Sequence, residues 1–285
     1  MGYMHIQNLY REQKILLFRE CYALEKVHGT SAHISWNEGR LGFFSGGESY
    51  EKFVALFDQD KLKAGFESLG RPKVVIYGEA YGGKCQGMKE TYGAELRFIA
   101  FDVMIDDNWL DVPNMDQVAT RLGIEVVPWV KVATDLIALD AERDKPSEVA
   151  QRRGCGNDKA REGVVLRPLI EFVTNNDERV IVKHKGEKFS ERTTPQKVID
   201  PEKLAILAAA DAIAFEWATE MRLKHVLDKL LRDERPGIEH MGVLIKAMVD
   251  DIYREAAGEI VESKEAASAI GKKTAQMFKK HLNAR

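Results

Sequence analysis

The sequence changes character at Asp200-Pro201, and that break limits the possible fold more than any other feature. Upstream, short apolar runs rich in β-branched and aromatic residues alternate with turn signals. Downstream, as far as Arg285, Ala, Leu, Lys and Glu recur at helical spacing. Asp200 can cap a helix, and Pro201 fits its first position. Interruptions at Arg235-Pro236-Gly237 and between Gly258 and Ser263 divide this part into three expected helices. The chain of 285 residues is therefore read as α+β: a mixed or antiparallel sheet domain over residues 1–199, then an all-α domain over 200–285.

Within the first domain, residues 7–19 read as a short helix anchored by Leu9, Leu16, Leu17 and Phe18. Cys21 to Leu24 reads as a short apolar strand. Segments 32–36 and 41–44 flank Asn37-Glu38-Gly39 as a hairpin. A helix is expected over 50–69, buried strands over 74–77 and 96–103, and helices over 113–122 and 135–153, the last interrupted by Pro146. Two final strands, near 163–173 and 179–185, are separated by the turn Thr174-Asn175-Asn176-Asp177.

Composition narrows the setting. Hydrophobic residues make up 45% of the chain, enough for a core, and no apolar run approaches membrane-spanning length. Met1 to Asn8 has neither a basic region nor a small-residue cleavage site, so no secretory signal is expected. The three cysteines, Cys21, Cys85 and Cys155, are too scattered for a zinc framework and odd in number, which suits a reducing cytosol. With a net charge of −3, any nucleic-acid partner needs local basic patches. Lys183, Lys185, Lys188, Arg192 and Lys197 form one; Lys272, Lys273, Lys279 and Lys280 form another, or simply a solvated helix face.

The chemistry concentrates at Glu25-Lys26-Val27-His28-Gly29-Thr30, directly after the first strand. A lysine at a strand end beside a glycine that lets the backbone turn near a phosphate suits covalent nucleotidyl transfer. Four further segments follow in order: Tyr77-Gly78-Glu79, Phe98 to Asp102, Glu162 to Val165, and Val182-Lys183-His184-Lys185. Lys183 and Lys185 alternate along a strand and so share a face, a costly placement for two ammonium groups unless anions meet them. The Gly82 to Gly87 stretch lacks the Gly-Lys-Ser/Thr ending of a P-loop and reads as a loop.

From Leu24 to Lys185 these five segments resemble the motifs of the covalent nucleotidyltransferase superfamily, the polynucleotide ligases and messenger-RNA capping enzymes. His28, two residues after the lysine, is similar to the phage RNA ligase 2 type. The resemblance implies a nucleotidyltransferase core with a helical C-terminal domain that engages duplex RNA. It implies an ATP-dependent RNA ligase, acting through lysyl–AMP and RNA–adenylate to join a 3′-OH to a 5′-phosphate. Lys26 is then the nucleophile, with His28, Lys183 and Lys185 as catalytic partners. Glu25, Thr30, Glu79, Phe101 and Glu162 join Lys26, Lys183 and Lys185 around ATP, Phe101 stacking on adenine. Glu79, Asp102 and Glu162 serve Mg²⁺ or Mn²⁺. Expected partners are ATP and the RNA ends of a nicked duplex, for a monomer in a bacterial or phage-infected cytosol and away from membranes.

Two departures bear on end joining. The second ligase motif normally offers an arginine about where this chain has Phe44-Ser45-Gly46-Gly47. Arg40 is the nearest alternative, and the backbone N–H groups of Gly46 and Gly47 are another. Ser31 stands where enzymes of the RNA ligase 2 type tend to carry Asn. The rivals are a DNA ligase or GTP-using capping enzyme, disfavoured because both usually add an OB-fold, and a homologue that binds nucleic acid without catalysis.

Overall fold

Hairpin chemistry starts the sheet structure. Glu38 and Gly39 both take positive φ, 48° and 85°, a two-residue turn whose twist matches that of the flanking strands. The structure, a computed structural model, describes residues 2–174, 178–189, 201–231 and 235–283. Among these, ten strands are found: β1 (Gln7–Asn8), β2 (Glu20–Lys26), β3 (Thr30–Asn37), β4 (Arg40–Phe44), β5 (Lys73–Gly82), β6 (Leu96–Ile105), β7 (Asn108–Trp109), β8 (Trp129–Ala133), β9 (Gly163–Pro168) and β10 (Val182–Lys185).

The strands form two sheets, in the orders β1-β10-β9-β2-β8 and β4-β3-β5-β6-β7. Every pairing is antiparallel except β1 with β10. In the first sheet, β9 lies between β2 and β10, with Lys26 opposite Gly163 and Lys185 opposite the same glycine. Segments more than a hundred residues apart thus meet at one strand end. In the second sheet, Ser31 lies opposite Glu79, and Phe44 opposite His33.

Six helices belong to this unit: α1 (Tyr50–Val54), α2 (Gln59–Leu69), α3 (Lys89–Tyr92), α4 (Val112–Arg121), α5 (Leu136–Arg143) and α6 (Glu148–Arg152). Acidic caps set several starts: Asp58, Asp111 and Asp135 each accept a backbone N–H three residues on. The main core joins Ile34, Trp36, Val74 and Ile76 of the second sheet to Phe66 of α2 and Met115 of α4. A smaller core under the first sheet contains Leu9, Ile15, Cys21, Val164 and Val182.

The chain divides into two compact units, residues 1–172 with 179–198, and residues 173–178 with 199–285. The second unit holds α7 (Pro201–Trp217), α8 (Glu220–Leu230), α9 (Met241–Glu255) and α10 (Lys264–Asn283) around Ala214, Leu223, Leu244, Met248, Ile270 and Phe278. No described helix is long and apolar enough to cross a membrane.

Several elements depart from the expectation. Residues 7–19 are not one helix, because Gln7 and Asn8 are drawn into β1 and Leu9 N–H donates to the Lys183 carbonyl at 2.9 Å. The helix expected over 50–69 breaks at Asp58, which caps α2. The strands expected over 163–173 and 179–185 are shorter, and β8 was not anticipated. Among the described residues the helical unit has four α-helices instead of three, since Thr219 caps α8 by accepting the Arg222 N–H. Asp200 and residues 175–177 of the expected turn lie outside the described residues.

Candidate active site

Lys26 ends β2, and its side chain is about one-quarter exposed. Its Nζ donates to Glu162 Oε2 at 2.9 Å, and Nδ1 of His28 lies 3.0 Å from the same oxygen. Lys185 Nζ lies 3.2 Å from Glu162 Oε1. Three nitrogen-bearing groups from two chain regions therefore converge on one carboxylate that is only 2% exposed. Burial alone would raise the pKa of Glu162, but the Lys26 charge and the contacts from Lys26, His28 and Lys185 outweigh it and hold the carboxyl below its ordinary value.

Gly29 has a packing reason at this turn. A Cβ there would meet the Ala80 carbonyl oxygen at 2.2 Å, so only glycine lets β5 approach so closely. Gly29 N–H then donates to Glu79 Oε1 at 3.1 Å. Burial pushes the Glu79 carboxyl up to about 7, with Lys26 lowering it and Glu162 raising it.

On its other side Lys26 borders a cavity of about 330 Å³. Leu24, Val127, Val165 and Ile181 supply apolar wall; Ser31, Glu79, Arg167 and Lys183 supply polar groups. Phe101 lines it too, with Tyr3 edge-on at a ring distance of 4.9 Å. Lys183 and Lys185 share the less buried face of β10, whose pattern alternates with buried Val182 and His184. A largely apolar cavity of this size with a few convergent polar groups can hold a nucleotide-sized ligand.

Four expectations need correction. Glu25 does not offer its carboxylate to a ligand: the side chain is fully buried, accepts from Ser147 Oγ at 2.5 Å and Glu148 N–H at 2.9 Å, and anchors the start of α6. Thr30 is turned from the cavity, its Oγ1 accepting the Gly47 N–H at 2.9 Å. That bond also occupies one of the two N–H groups considered as stand-ins for the missing arginine. Arg40 is at the far end of β4, opposite Asn37, and so cannot replace it.

Asp102 is the fourth. It is completely buried and accepts from Arg167 at 3.0 Å, Arg179 at 2.7 Å and the Tyr3 hydroxyl at 2.6 Å. Both oxygens are committed, which leaves no place for a metal or its water. Glu171 bridges the same two arginines, and Arg179 stacks over Trp109 at 4.1 Å. Such a network is costly to disrupt on one side, because the partner charge is left buried. Among the described residues no three metal-ligating side chains come together. Glu79 and Glu162 still fit a Mg²⁺ ion, which needs only one or two carboxylates with water and phosphate.

The motifs did not reveal Tyr3 or Arg167. Tyr3 meets Asp102 and Arg179, 99 and 176 positions away, and no local pattern announces such contacts. Arg167 carried a weak signal, an arginine directly after the apolar run Val164-Val165-Leu166 and before Pro168-Leu169-Ile170.

Comparison with known proteins bears on the family and the fold. Residues 19–185 match the RNA ligase family. No curated protein matches the chain. Solved structures of Naegleria gruberi RNA ligase share the fold: a mutant with AMP and Mn has 16% identity and a TM-score of 0.52. A mutant with ATP and Mn has a TM-score of 0.53, and the protein with PPi 0.52, both at 16% identity. Each covers 66% of this chain and 57% of the other, so the present chain spans little more than half the length of those proteins. At this identity the likeness carries the fold alone. The family match covers more than half of the chain and takes in Lys26, Glu79, Glu162, Lys183 and Lys185, and the chain belongs to the RNA ligase family.

Proposed function

We propose that the chain is an ATP-dependent RNA ligase of the RNA ligase 2 type, with Lys26 as the residue that carries AMP. The observation that carries this reading is the placement of Lys26 between an apolar cavity and the Glu162–His28–Lys185 cluster. In the first step the neutral Lys26 amine attacks the α-phosphorus of ATP. An N–P bond forms, the bond to the bridging oxygen breaks, and pyrophosphate leaves. A 5′-phosphate oxygen of RNA then takes AMP from the lysine, and a 3′-OH attacks the activated phosphorus to form the phosphodiester and release AMP.

A free lysine amine is mostly protonated near neutrality, so its proton must be removed before attack. Glu162 holds the ammonium in position, and Lys183 and Lys185 can meet phosphate charge. For phosphoryl transfer, positioning and charge neutralisation supply most of the catalysis. Glu79 and Glu162 would hold Mg²⁺, which when bound neutralises phosphate charge. Phe101 lines the cavity wall, where it would meet a purine face.

The substrate we infer is a nicked RNA duplex, read by shape and phosphates and without strong sequence preference. The helical unit would supply part of that contact. We place the protein in a cytosol, as a monomer. Incubation with α-labelled ATP or GTP and Mg²⁺, followed by denaturing electrophoresis, tests the reading. Acid-labile label on the protein from ATP supports it, label from GTP alone would favour a capping-type enzyme, and no label from either overturns it.

A further inference from the structure

About where the resemblance expects an arginine, this chain has Phe44-Ser45-Gly46-Gly47, and the structure shows what surrounds Phe44. Phe44 is 40% exposed, large for an aromatic in a strand, and it stacks on His33 across β3 and β4 with ring centroids 5.0 Å apart and planes within 20°. His33 and Ser31 are two positions apart on β3 and so share a face. Ser31 lines the cavity beside Lys26. The Phe44–His33 stack therefore stands about 7 Å along the strand from the cavity rim.

The stack is also the outer end of an aromatic row. His33 meets Tyr77 at 5.4 Å, Tyr77 meets Tyr3 at 5.1 Å, and Tyr3 meets Phe101 at 4.9 Å. Tyr3 and Phe101 line the cavity, so tilted and edge-on ring contacts run from its interior to the exposed Phe44. Burial lowers the pKa of His33 and keeps its ring neutral at physiological pH, which suits stacking better than anion binding. The turn after Phe44 is closed: a Cβ on Gly46, where φ is +60°, would meet the Ser31 carbonyl oxygen at 2.3 Å. No long cation can be grafted there without moving the strand.

We propose that Phe44 and His33 form a stacking platform for the base of the terminal nucleotide of the RNA strand that carries the 5′-phosphate. This rests on the ligase reading, which requires that phosphate to reach Lys26. The cavity on one side and the strand direction on the other leave the base next to Ser31, over the stack. Aromatic stacking accepts any base and is insensitive to salt, unlike the phosphate contact an arginine would make. The position holds the RNA end by its base where other ligases hold a phosphate.

The test is equilibrium binding, without ATP, of fluorescently labelled nicked RNA duplexes whose 5′-phosphate nucleotide is either intact or abasic. Wild type should bind the intact duplex about five- to a hundredfold more tightly than the abasic one. Phe44→Leu, which keeps the apolar volume, should bind both alike at the weaker level, and Phe44→Trp should restore the preference. Each protein is also tested for AMP labelling, which scores the ligase reading separately. Preference for the intact duplex without labelling would support the platform and remove the ligase. A wild type indifferent to the base, or a Phe44→Leu variant that keeps the preference, overturns the platform. A concentration-dependent dimer of wild type that Phe44→Leu abolishes would also overturn it, assigning the face to a second copy.

Discussion

Lys26 Nζ and Glu162 Oε2 are 2.9 Å apart, an ion pair that joins the end of β2 to the residue just before β9. On the ligase reading, the proposed nucleophile is therefore held by a carboxylate that nucleotide and metal would also engage. Lys26→Ala should abolish AMP labelling while the far-UV circular dichroism spectrum is retained, because His28 and Lys185 still face Glu162. Labelling at the wild-type level would sink the assignment.

Glu162→Gln tests the same pair from the other side. The folded-state pKa of Glu162 lies below its ordinary 4.5, so its contribution to stability is present above that value and is lost as pH falls through the folded pKa. The variant should therefore show a flatter fall in Tm below about pH 4.5 than wild type. It should also label at least about tenfold more slowly, equivalent to roughly 1.4 kcal/mol of barrier. Identical acid limbs would mean that the pair contributes nothing to folding.

Glu79 has the opposite sign. Its pKa is raised from 4.5 to about 7, so the folded state favours the neutral form. Stability from this group is full below pH 4.5 and declines as pH rises through about 7. Glu79→Gln keeps the acceptor for Gly29 and should be more stable than wild type above pH 7, with Mg²⁺ narrowing the gap by stabilising the wild-type carboxylate. If the two melting curves coincide from pH 5 to 9, the Glu79 carboxyl is not pushed up in the folded state. Labelling by wild type should rise between pH 6 and 8 and stay low and flat in the variant.

The motif residues could be read from the sequence because their constraints are local. Lys26 ends a strand before a close-packed glycine, and Lys183 and Lys185 alternate on β10. The rest depends on contacts between distant residues. Glu25 looked like part of the nucleotide set until Ser147 and Glu148 arrived from 122 and 123 positions away. Asp102 resembled a metal-site residue until Arg167, Arg179 and Tyr3 enclosed it. The α7–α8 break carries little sequence signal because Ala218-Thr219 contains neither glycine nor proline, and a threonine cap is weak evidence within a helical pattern.

Lys183 and Lys185 should separate by stability. Both variants to Ala should slow AMP labelling by at least about tenfold. Lys185 partners a buried carboxylate, so Lys185→Ala should also lower Tm, because Glu162 loses one of its compensating charges. Lys183 lines the cavity, and if it meets phosphate as proposed, its removal should move KM for ATP more than Tm. Equal loss of Tm in both variants, with full activity per folded molecule, would make the lysines structural.

The helical unit should matter more for joining than for lysine adenylation. Every residue assigned to nucleotide chemistry lies before Val198, in the first unit, while α10 carries its own basic face in the second. The four lysines there are not equivalent. Lys273 lies over the Phe215 ring at 4.2 Å and donates to the Phe215 carbonyl, and Lys280 is 3.8 Å from Glu220. Lys272 and Lys279 are exposed, seven positions apart and so on one side of the helix. If that side meets phosphates, Lys272→Ala with Lys279→Ala should weaken binding of a nicked RNA duplex and reduce the slope of log affinity against log salt by about one to two. AMP labelling from ATP alone should be unaffected, since neither residue borders the cavity. An unchanged salt slope would make these lysines a solvated face. A loss of labelling would overturn the division of roles between the two units.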